Sequence, residues 1–309
     1  MRIAILGAGA MGMLFSGYLS QKNEVWVIDV DKSRVDKINR DGVLIRESDG
    51  SDRCFHVKAV ADSSGLPEMD LIIVFVKAMY TISALETNKH LIGKNSYLMT
   101  LQNGAGHEAK LLQFVDADHV IIGSTQNNSS VIANGHANHG GSGASSIGAL
   151  TGDSKRLDYI AENMTQCGFE TVTSNEVKKQ IWTKLFTNTS ASSLTAVLQV
   201  PLGFLCSDPY AHELMIKLCR EAVAVANAGG FAKFDDAEAI EGVETVCRNA
   251  PNGYTSIYMD IKNGNRTEVD TISGSVVETA RELGVDVPCH EAIVALIHAL
   301  EDKSRPDKA

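Results

Sequence analysis

The sequence lacks the features that mark secreted, membrane-spanning and disulfide-stapled proteins. Its first residues, MRIAIL, run directly into a glycine turn with no basic segment and apolar core of the kind that forms a signal peptide. No uninterrupted apolar run approaches the roughly 20 residues that a membrane-spanning helix needs. The six cysteines are scattered without a C-x-x-C pair, which favours reduced thiols over a disulfide framework or a zinc site. These absences predict a cytoplasmic protein that does not associate with membranes.

Positive charge is also scarce. Lys and Arg number 28 against 38 Asp and Glu, which gives a formal net charge of −10. Nucleic acid is therefore not expected as a partner, because non-specific binding needs a basic face. An anionic small molecule stays open, since a few local cations can build a positive pocket on an acidic protein. His136 and His139 have a metal-like spacing, but no Cys or carboxylate cluster accompanies them and no metal site is predicted.

The 309 residues, 44% of them hydrophobic, are enough for two globular domains. Strand-like and helix-like segments alternate through the first half, and the run DLIIVFV is apolar on both faces, as in a covered parallel strand. This rhythm predicts an α/β fold, with a doubly wound parallel Rossmann sheet over residues 1–173. The Gly- and Ser-rich stretch 127–153 fits either antiparallel edge strands or a flexible loop. A helix at 154–167 and a last strand at 169–173 follow. Strand signals almost vanish beyond residue 174, so residues 174–309 are predicted to form an all-α domain, with helices at 176–195, 212–228, 237–248, 256–262, 267–283 and 290–303.

The turn after the first strand reads GAGAMG and satisfies the pattern G-x-G-x-x-G at residues 7–12. Gly7 permits the tight turn, Gly9 lets a pyrophosphate approach the backbone, and Gly12 lets the helix pack closely on the strand. The helix N-terminus offers unpaired N–H groups and partial positive charge to the phosphates. A dinucleotide site is therefore predicted here, and its residues are Gly7, Gly9, Ala10, Met11 and Gly12.

Asp29 closes the next strand, EVWVID, about 20 residues further on. A carboxylate there accepts hydrogen bonds from the adenosine ribose and repels a 2′-phosphate, which favours NAD over NADP. Lys32 and Arg34 lie close in sequence. They could pair with Asp29 and receive a phosphate, so NADP stays open beside NAD.

Polar residues follow two later strands at the carboxyl edge, where such sheets bind ligands. Lys77 and Asn103 occupy these positions, although a helix start and a simple turn would explain them equally well. Further on, Lys184, Asn188 and Ser192 recur at i, i+4 and i+8 and would line one helical stripe. The stripe could be solvated. A lysine flanked by Trp and Leu-Phe is poorly placed for open water, however, and its pKa would be lowered toward one suited to proton transfer.

Five blocks of sequence together resemble the ketopantoate reductase (2-dehydropantoate 2-reductase) family over nearly the whole chain. They are RIAILGAGAMG, VKA around Lys77, LQNG around Asn103, IWTKLFTN with Lys184 and Asn188, and SIYMDIKNGNRTEVDTISG. The match is specific because the order and the spacing of all five agree.

The resemblance implies a role for each matching residue. Lys184 would protonate the substrate oxygen as hydride reaches the carbonyl carbon, which also stabilises the developing charge. Glu268 would bind a substrate hydroxyl or hold the catalytic geometry, although Thr267 and Asp270 around it also look like a helix-capping box. The remaining assignments are substrate binding by Asn103, Asn188, Ser192 and Ser256, and cofactor binding by Lys77 and Asn103.

The chain departs from the family at two points. Ser192 stands where the family often has a second asparagine, and Asp29 stands where a basic residue for NADP is common. The predicted activity is reduction of a 2-oxo acid, ketopantoate or a similar branched acid, to the D-2-hydroxy acid. Ketopantoate would place the protein in pantothenate biosynthesis.

Other functions stay open at this stage. They are an NAD-dependent D-2-hydroxyacid dehydrogenase that does not act on ketopantoate, a 3-hydroxyacid dehydrogenase, and a nucleotide-binding sensor without catalysis. The apolar surface of the helical domain is compatible with a homodimer.

Overall fold

The structure, a computed structural model, describes residues 1–152 and 154–304. The chain forms two compact units, and the boundary between them is not a single point in the sequence. The first unit comprises Met1–Gln102 and His107–Val177, and the second comprises Asn103–Gly106 and the chain from Lys178 onward. The domain boundary expected between residues 173 and 174 stays a prediction, and residues 305–309 of its second domain lie outside the described residues.

The first unit contains twelve strands and five α-helices within its described residues. The strands are β1 (Arg2–Leu6), β2 (Glu24–Ile28), β3 (Val43–Arg46), β4 (Asp52–Phe55), β5 (Lys58–Val60), β6 (Met69–Val74), β7 (Ile92–Thr100), β8 (Val120–Thr125), β9 (Asn128–Ala133), β10 (His136–Gly141), β11 (Ser145–Ala149) and β12 (Thr171–Thr173). The helices are α1 (Ala10–Leu19), α2 (Lys32–Asp41), α3 (Thr81–Thr87), α4 (His107–Leu111) and α5 (Ser154–Gln166).

The main sheet has the strand order β12-β11-β8-β7-β6-β1-β2-β5. The six strands from β8 to β5 are parallel, and β11 runs antiparallel to β8. The strand order reverses at β1, and dinucleotides bind at such a switch point. Because Leu6 is in register with Ile28 on one side and Val74 on the other, the loops that follow these three strands leave the sheet at one edge. The predicted Rossmann sheet is confirmed.

A second sheet, ordered β4-β3-β10-β9, decides between the two alternatives for residues 127–153. β9 and β10 form an antiparallel hairpin across Asn134 and Gly135, and Gly135 has φ +72°. Asn-Gly is the typical two-residue turn of a hairpin, so a local signal for strands was present. β11 then joins the main sheet. Asp153, the last residue of the segment, lies outside the described residues.

The described part of the second unit is all helical, as predicted. Its core gathers buried residues from most of its helices, among them Trp182, Leu218 and Ile297. Within residues 1–152 and 154–304, no helix combines the length and the apolar character that a membrane span requires. Its helices are α6 (Val177–Thr187), α7 (Ser193–Leu198), α8 (Phe204–Ser207), α9 (Pro209–Ala228), α10 (Asp236–Asn249), α11 (Ser256–Lys262), α12 (Ser273–Leu283) and α13 (Pro288–Lys303). The first residue of α6, Val177, is also the last residue of the first unit.

Two predicted helices of this unit were wrong in part. The single helix expected over 176–195 is interrupted by a π-helical turn at Asn188–Ser192, between α6 and α7. The helix expected to begin at Thr267 begins at Ser273 instead, and a non-helical turn precedes it. Both interruptions fall on predicted site residues.

Candidate active site

The glycine turn between β1 and α1 has no room for a side chain at two of its glycines. Gly7 has φ +100°, a conformation that side chains rarely adopt, and a Cβ there would lie 2.9 Å from the backbone nitrogen of Val76. A Cβ on Gly12 would overlap the carbonyl oxygen of Gly7. Glycine is therefore required at both positions by the turn itself, before any ligand is considered.

Gly9 differs from these two glycines because its requirement is not steric. A Cβ at Gly9 would meet nothing within 4 Å. Gly9 caps α1, whose first residues are Ala10 and Met11, so the N–H groups of the first helical turn lie beside this empty space. A pyrophosphate fits here, since it needs close backbone approach and helix N–H donors.

Asp29 holds the glycine turn from the neighbouring strand. It is only 8% exposed, and its Oδ2 accepts a hydrogen bond of 2.7 Å from the N–H of Ala8. Oδ2 also accepts from Arg34 Nη1 at 3.0 Å, and Oδ1 accepts from the N–H of Asp31 at 2.9 Å. A carboxylate has about four acceptor positions, so one remains on Oδ1 for a ribose hydroxyl.

Lys77 lies in the loop that follows β6, beside β1 in the sheet. It is the residue after Val76, which approaches Gly7 closely, and its carbonyl accepts from the N–H of Tyr80 at 2.8 Å. The structure thus places Lys77 in the same unit and at the same edge of the sheet as the glycine turn and Asp29. Their assignment to a cofactor stays a prediction.

Lys184 lies on α6 in the second unit, between buried apolar residues. Trp182, Leu185 and Phe186 around it are 1–3% exposed. Burial lowers the pKa of Lys184 below the usual lysine value. Its amine is therefore better matched to proton transfer near neutral pH than a solvated lysine would be.

The π-helical turn changes how Asn188 and Ser192 are presented. A π-turn is wider than an α-helical turn and changes the angular spacing of the residues within it. Asn188 is partly exposed and Ser192 only 7% exposed. The predicted stripe of Lys184, Asn188 and Ser192 stays a prediction.

Ser256 is brought near Ser192 by the residue that precedes it. Thr255 caps α11 through a hydrogen bond from the N–H of Tyr258. Its Oγ1 lies 3.0 Å from Thr195 Oγ1 and 3.4 Å from the carbonyl oxygen of Ser192. The exposed Ser256 and the π-turn are thus held side by side within the second unit.

Glu268 lies in a non-helical turn, and the capping-box interpretation around it was wrong. The N–H and the hydroxyl of Thr267 each donate to Glu301 Oε1 at 2.6 Å, which anchors the chain before it can enter a helix. The N–H groups of Thr271 and Ile272 then turn back to the carbonyl of Glu268. Glu268 is partly exposed on this turn.

Asn103 belongs to the second unit although the sequence around it belongs to the first. The N–H of Ala105 donates to the carbonyl oxygen of Thr271 at 3.2 Å. Gly104 has φ +105°, and a Cβ there would overlap the same carbonyl oxygen. The Asn103–Gly106 loop is therefore docked on the turn that carries Glu268.

Hydrogen bonds thus connect the segments that carry the predicted substrate residues. Ser273, at the end of the Glu268 turn, contacts Thr189 of the π-turn, and Thr255 reaches the other end of that turn. Of the partners that create this arrangement, Glu301 and Thr255 were missed by sequence reasoning, and Thr267 was considered only as part of a capping box. No local pattern identifies them, because each acts on a residue far away in the sequence.

Comparison with known proteins gives a consistent result. Models described as "Ketopantoate reductase PanE/ApbA" and "Ketopantoate reductase PanE/ApbA C terminal" match residues 3–152 and 176–301. The chain is 30% identical to the 2-dehydropantoate 2-reductase of Lactococcus lactis subsp. lactis, over 98% of each chain.

Solved structures agree with these sequence matches. A D-mandelate dehydrogenase in a ternary complex with NADH and anilino(oxo)acetate is 30% identical, with a TM-score of 0.91 and coverage of 98% of this chain and 99% of that one. A PanE/ApbA family ketopantoate reductase from Ralstonia eutropha is 27% identical, with a TM-score of 0.90 and coverage of 99% and 100%.

Proposed function

Because this chain belongs to the ketopantoate reductase family, as its five sequence blocks indicate, we propose that it reduces a branched 2-oxo acid to the D-2-hydroxy acid with a nicotinamide cofactor. The observation that carries the proposal is Lys184. Its pKa is lowered by burial, and it lies one helical turn before Asn188. Hydride addition to a carbonyl places negative charge on oxygen, and an ammonium group both stabilises that charge and supplies the proton.

The other roles in the proposal are those that the family resemblance implies. Bound nicotinamide supplies the hydride, and residues 7–12, Asp29 and Lys77 of the first unit fit the dinucleotide. Asn103 is assigned to both cofactor and substrate. Asn188, Ser192 and Ser256 donate hydrogen bonds to the substrate carboxylate and hydroxyl groups, and Glu268 accepts one from a substrate hydroxyl or holds that geometry. Residues 1–173 would thus serve the cofactor, and residues 174–309 the substrate.

Asp29 supports NADH as the preferred cofactor. Its remaining acceptor position suits a ribose hydroxyl, and its charge disfavours a 2′-phosphate. Arg34 is the structural basis for using NADPH as well, since its guanidinium lies 3.0 Å from Asp29 and can turn to a phosphate. Arg34→Ala should raise the KM for NADPH while leaving that for NADH nearly unchanged. Equal effects on both cofactors would exclude this role.

A second candidate function is that of an NAD-dependent D-2-hydroxyacid dehydrogenase that does not act on ketopantoate. Asp29 favours it, and so does the likeness to a structure named as D-mandelate dehydrogenase with NADH. The first experiment is therefore steady-state reduction of ketopantoate and of several branched and aromatic 2-oxo acids, with NADH and NADPH in parallel.

Each outcome of this experiment is decisive. High kcat/KM for ketopantoate with NADPH would place the enzyme in pantothenate biosynthesis and overturn the role of Asp29. Preference for NADH with other 2-oxo acids would establish the second candidate. Absence of turnover with every acid would exclude the reaction class and favour a nucleotide-binding sensor without catalysis.

Lys184→Ala tests the proton donor. Turnover should fall by about 100-fold or more, the range that a positioned general acid contributes, while the Kd for NADH stays unchanged. Lys217→Ala is the matched control, because Lys217 is exposed on α9 and its ammonium group forms a salt bridge with the exposed Glu213. Full activity in Lys184→Ala would remove Lys184 from the mechanism.

A cytoplasmic homodimer is the form of the enzyme that we propose. The net charge and the reduced thiols suit the cytoplasm, and exposed apolar residues of the second unit such as Leu198 and Met259 suit self-association. Sedimentation velocity across a range of protein concentrations tests the dimer, and a single monomeric species would exclude it.

A further inference from the structure

A buried histidine in the second unit has a polar partner on each ring nitrogen. His290, near the start of α13, is 0% exposed. Its Nδ1 lies 2.7 Å from Glu221 Oε2, and its Nε2 lies 2.8 Å from Thr189 Oγ1. Neither the family resemblance nor the proposed chemistry above uses His290 or Glu221.

Glu221, on α9, fixes the orientation of the imidazole. Its carboxylate also accepts from the N–H groups of Cys289 and His290, at 2.9 and 3.0 Å, and so caps α13 from a neighbouring helix. Burial alone would raise the pKa of Glu221, but these hydrogen bonds and the one from the imidazole outweigh it and lower the pKa. An ionised Glu221 is an acceptor only, so Nδ1 of His290 carries the proton and donates it.

The other ring nitrogen begins a chain of hydroxyl groups. With the proton on Nδ1, Nε2 of a neutral His290 accepts from the hydroxyl of Thr189. Thr189 Oγ1 lies 3.0 Å from Ser273 Oγ, which in turn lies 2.8 Å from Ser193 Oγ. The hydroxyl of Ser193 can therefore donate to Ser273, that of Ser273 to Thr189, and that of Thr189 to His290.

This chain of hydrogen bonds ends on the two segments that carry the predicted substrate residues. Thr189 directly follows Asn188 in the π-turn, and Ser273 ends the turn that begins at Glu268. A π-turn is rare and frequently occurs at functional sites, and this one needs partners from outside its own helix. His290 supplies the partner for the first of its buried side chains.

We propose that His290, oriented by Glu221, is a positioning residue that fixes the π-turn through Thr189 and thereby places Asn188 for the substrate. The inference rests on the proposed function, because the role of Asn188 belongs to it. A buried polar network whose members are all hydrogen-bonded rigidifies its surroundings and specifies one arrangement. This network would therefore give the π-turn one defined geometry.

Two substitutions at His290 separate its two contacts. In His290→Asn the amide nitrogen takes the place of Nδ1 and keeps Glu221, but nothing reaches Thr189. In His290→Gln the amide oxygen takes the place of Nε2 and keeps Thr189. We expect His290→Asn to lower kcat by about 10- to 100-fold, the cost of displacing a reacting group by about 1 Å, and His290→Gln to restore most of it.

Thr189 supplies the matched control from the other end of the contact. Thr189→Val keeps the shape and removes the hydroxyl, so it should lower kcat as His290→Asn does, and Thr189→Ser should not. The double variant of His290→Asn and Thr189→Val should lose no more kcat than either single variant, because the effects of two substitutions that remove the same contact are not additive. The Kd for NADH should stay constant throughout.

A readout without turnover keeps the test independent of the proposed reaction. Hydrogen exchange of the peptide amides at residues 188–193 should be faster in His290→Asn than in the wild type, and unchanged in His290→Gln. If exchange rises as expected but no 2-oxo acid is reduced by the wild type, the proposed function fails and the positioning role stands. Wild-type exchange and wild-type kcat in His290→Asn would overturn the inference.

Discussion

At the scale of single residues, chemistry depends on the surroundings of a side chain rather than on its type. Lys184 and Lys217 are both lysines on helices of the second unit. Burial lowers the pKa of Lys184, whereas a hydrogen bond from Lys217 to Glu213 raises the pKa of Lys217. Only Lys184 is therefore suited to deliver a proton, and desolvation by burial lowers its pKa.

The lowered pKa of Lys184 predicts a particular dependence of rate on pH. As an acid, Lys184 must be protonated for reduction, so kcat/KM for the 2-oxo acid should fall as the pH rises through its pKa, below the usual lysine value of about 10.4. Oxidation of the hydroxy acid needs the neutral amine and should rise over the same range. Lys184→Arg should be slower than the wild type, because a guanidinium stabilises the developing charge but keeps its proton, and its residual rate should show no alkaline fall. An alkaline limb that persists in Lys184→Arg would belong to another group.

At the scale of elements, the two units obtain their site geometry in different ways. The glycine turn is defined by close backbone approach within one strand, turn and helix, where Gly7 and Gly12 have no room for a side chain. The π-turn and the Glu268 turn are instead held by side chains from other helices, such as Glu301 on Thr267. Only the first kind of element can be identified from a short stretch of sequence.

Gly9 and Gly12 form a matched pair for testing the glycine turn. Gly9→Ala adds a methyl group in empty space, at φ −70°, so stability should change by no more than about 1 kcal/mol. The Kd for NADH should nevertheless rise by about 10-fold or more, since the pyrophosphate needs that space. Gly12→Ala should destabilise the first unit by about 1–3 kcal/mol or more through overlap with Gly7.

Thermal unfolding and NADH titration measure the two effects separately. A Gly9→Ala variant that binds NADH as the wild type does would show that the cofactor does not approach this residue. A Gly12→Ala variant of wild-type stability would contradict the steric argument.

At the scale of the whole molecule, each unit has its own hydrophobic core and its own tryptophan. Trp26 is buried in the first unit and Trp182 in the second. The second unit also contains Glu221 and Glu301, two carboxylates whose pKa values are lowered because hydrogen bonds outweigh the effect of burial. Ionised carboxylates with such partners stabilise the folded state as long as they remain ionised.

These carboxylates predict how the second unit responds to acid. Because their folded pKa values lie below those of the unfolded chain, their contribution is complete above about pH 4.5 and is lost as the pH falls through the folded values. Glu301→Gln should lower the free energy of unfolding by about 1–3 kcal/mol at pH 7, through the weakened bonds to Thr267. It should also reduce the loss of stability between pH 5 and pH 3.

Urea unfolding followed by fluorescence tests this prediction in the full chain. A Trp26→Phe background leaves Trp182 as the single tryptophan, so the signal reports on the second unit. The prediction fails if Glu301→Gln and its parent lose stability equally between pH 5 and pH 3.

Much of the first unit and of the cofactor site could be predicted from the sequence. The Rossmann sheet, the glycine turn and the helical nature of the second unit were confirmed by the structure or by the comparisons. The hairpin of β9 and β10 could have been predicted too, since Asn134 and Gly135 carry its turn signal. The assignments of individual site residues remain predictions, and the helix boundaries expected around Ser192 and Glu268 differ from those in the structure.

The sequence by itself determined the family, the strand–turn–helix of the cofactor site and the apolar faces of the helices, because each depends on residues that are close in the chain. Tertiary structure alone decided the π-turn, the non-helical turn at Glu268 and the docking of the Asn103 loop. Thr267 is held by a residue 34 positions away and Thr189 by one 101 positions away. Hydrogen bonding and desolvation depend on neighbours in space, and no local pattern of residues specifies them.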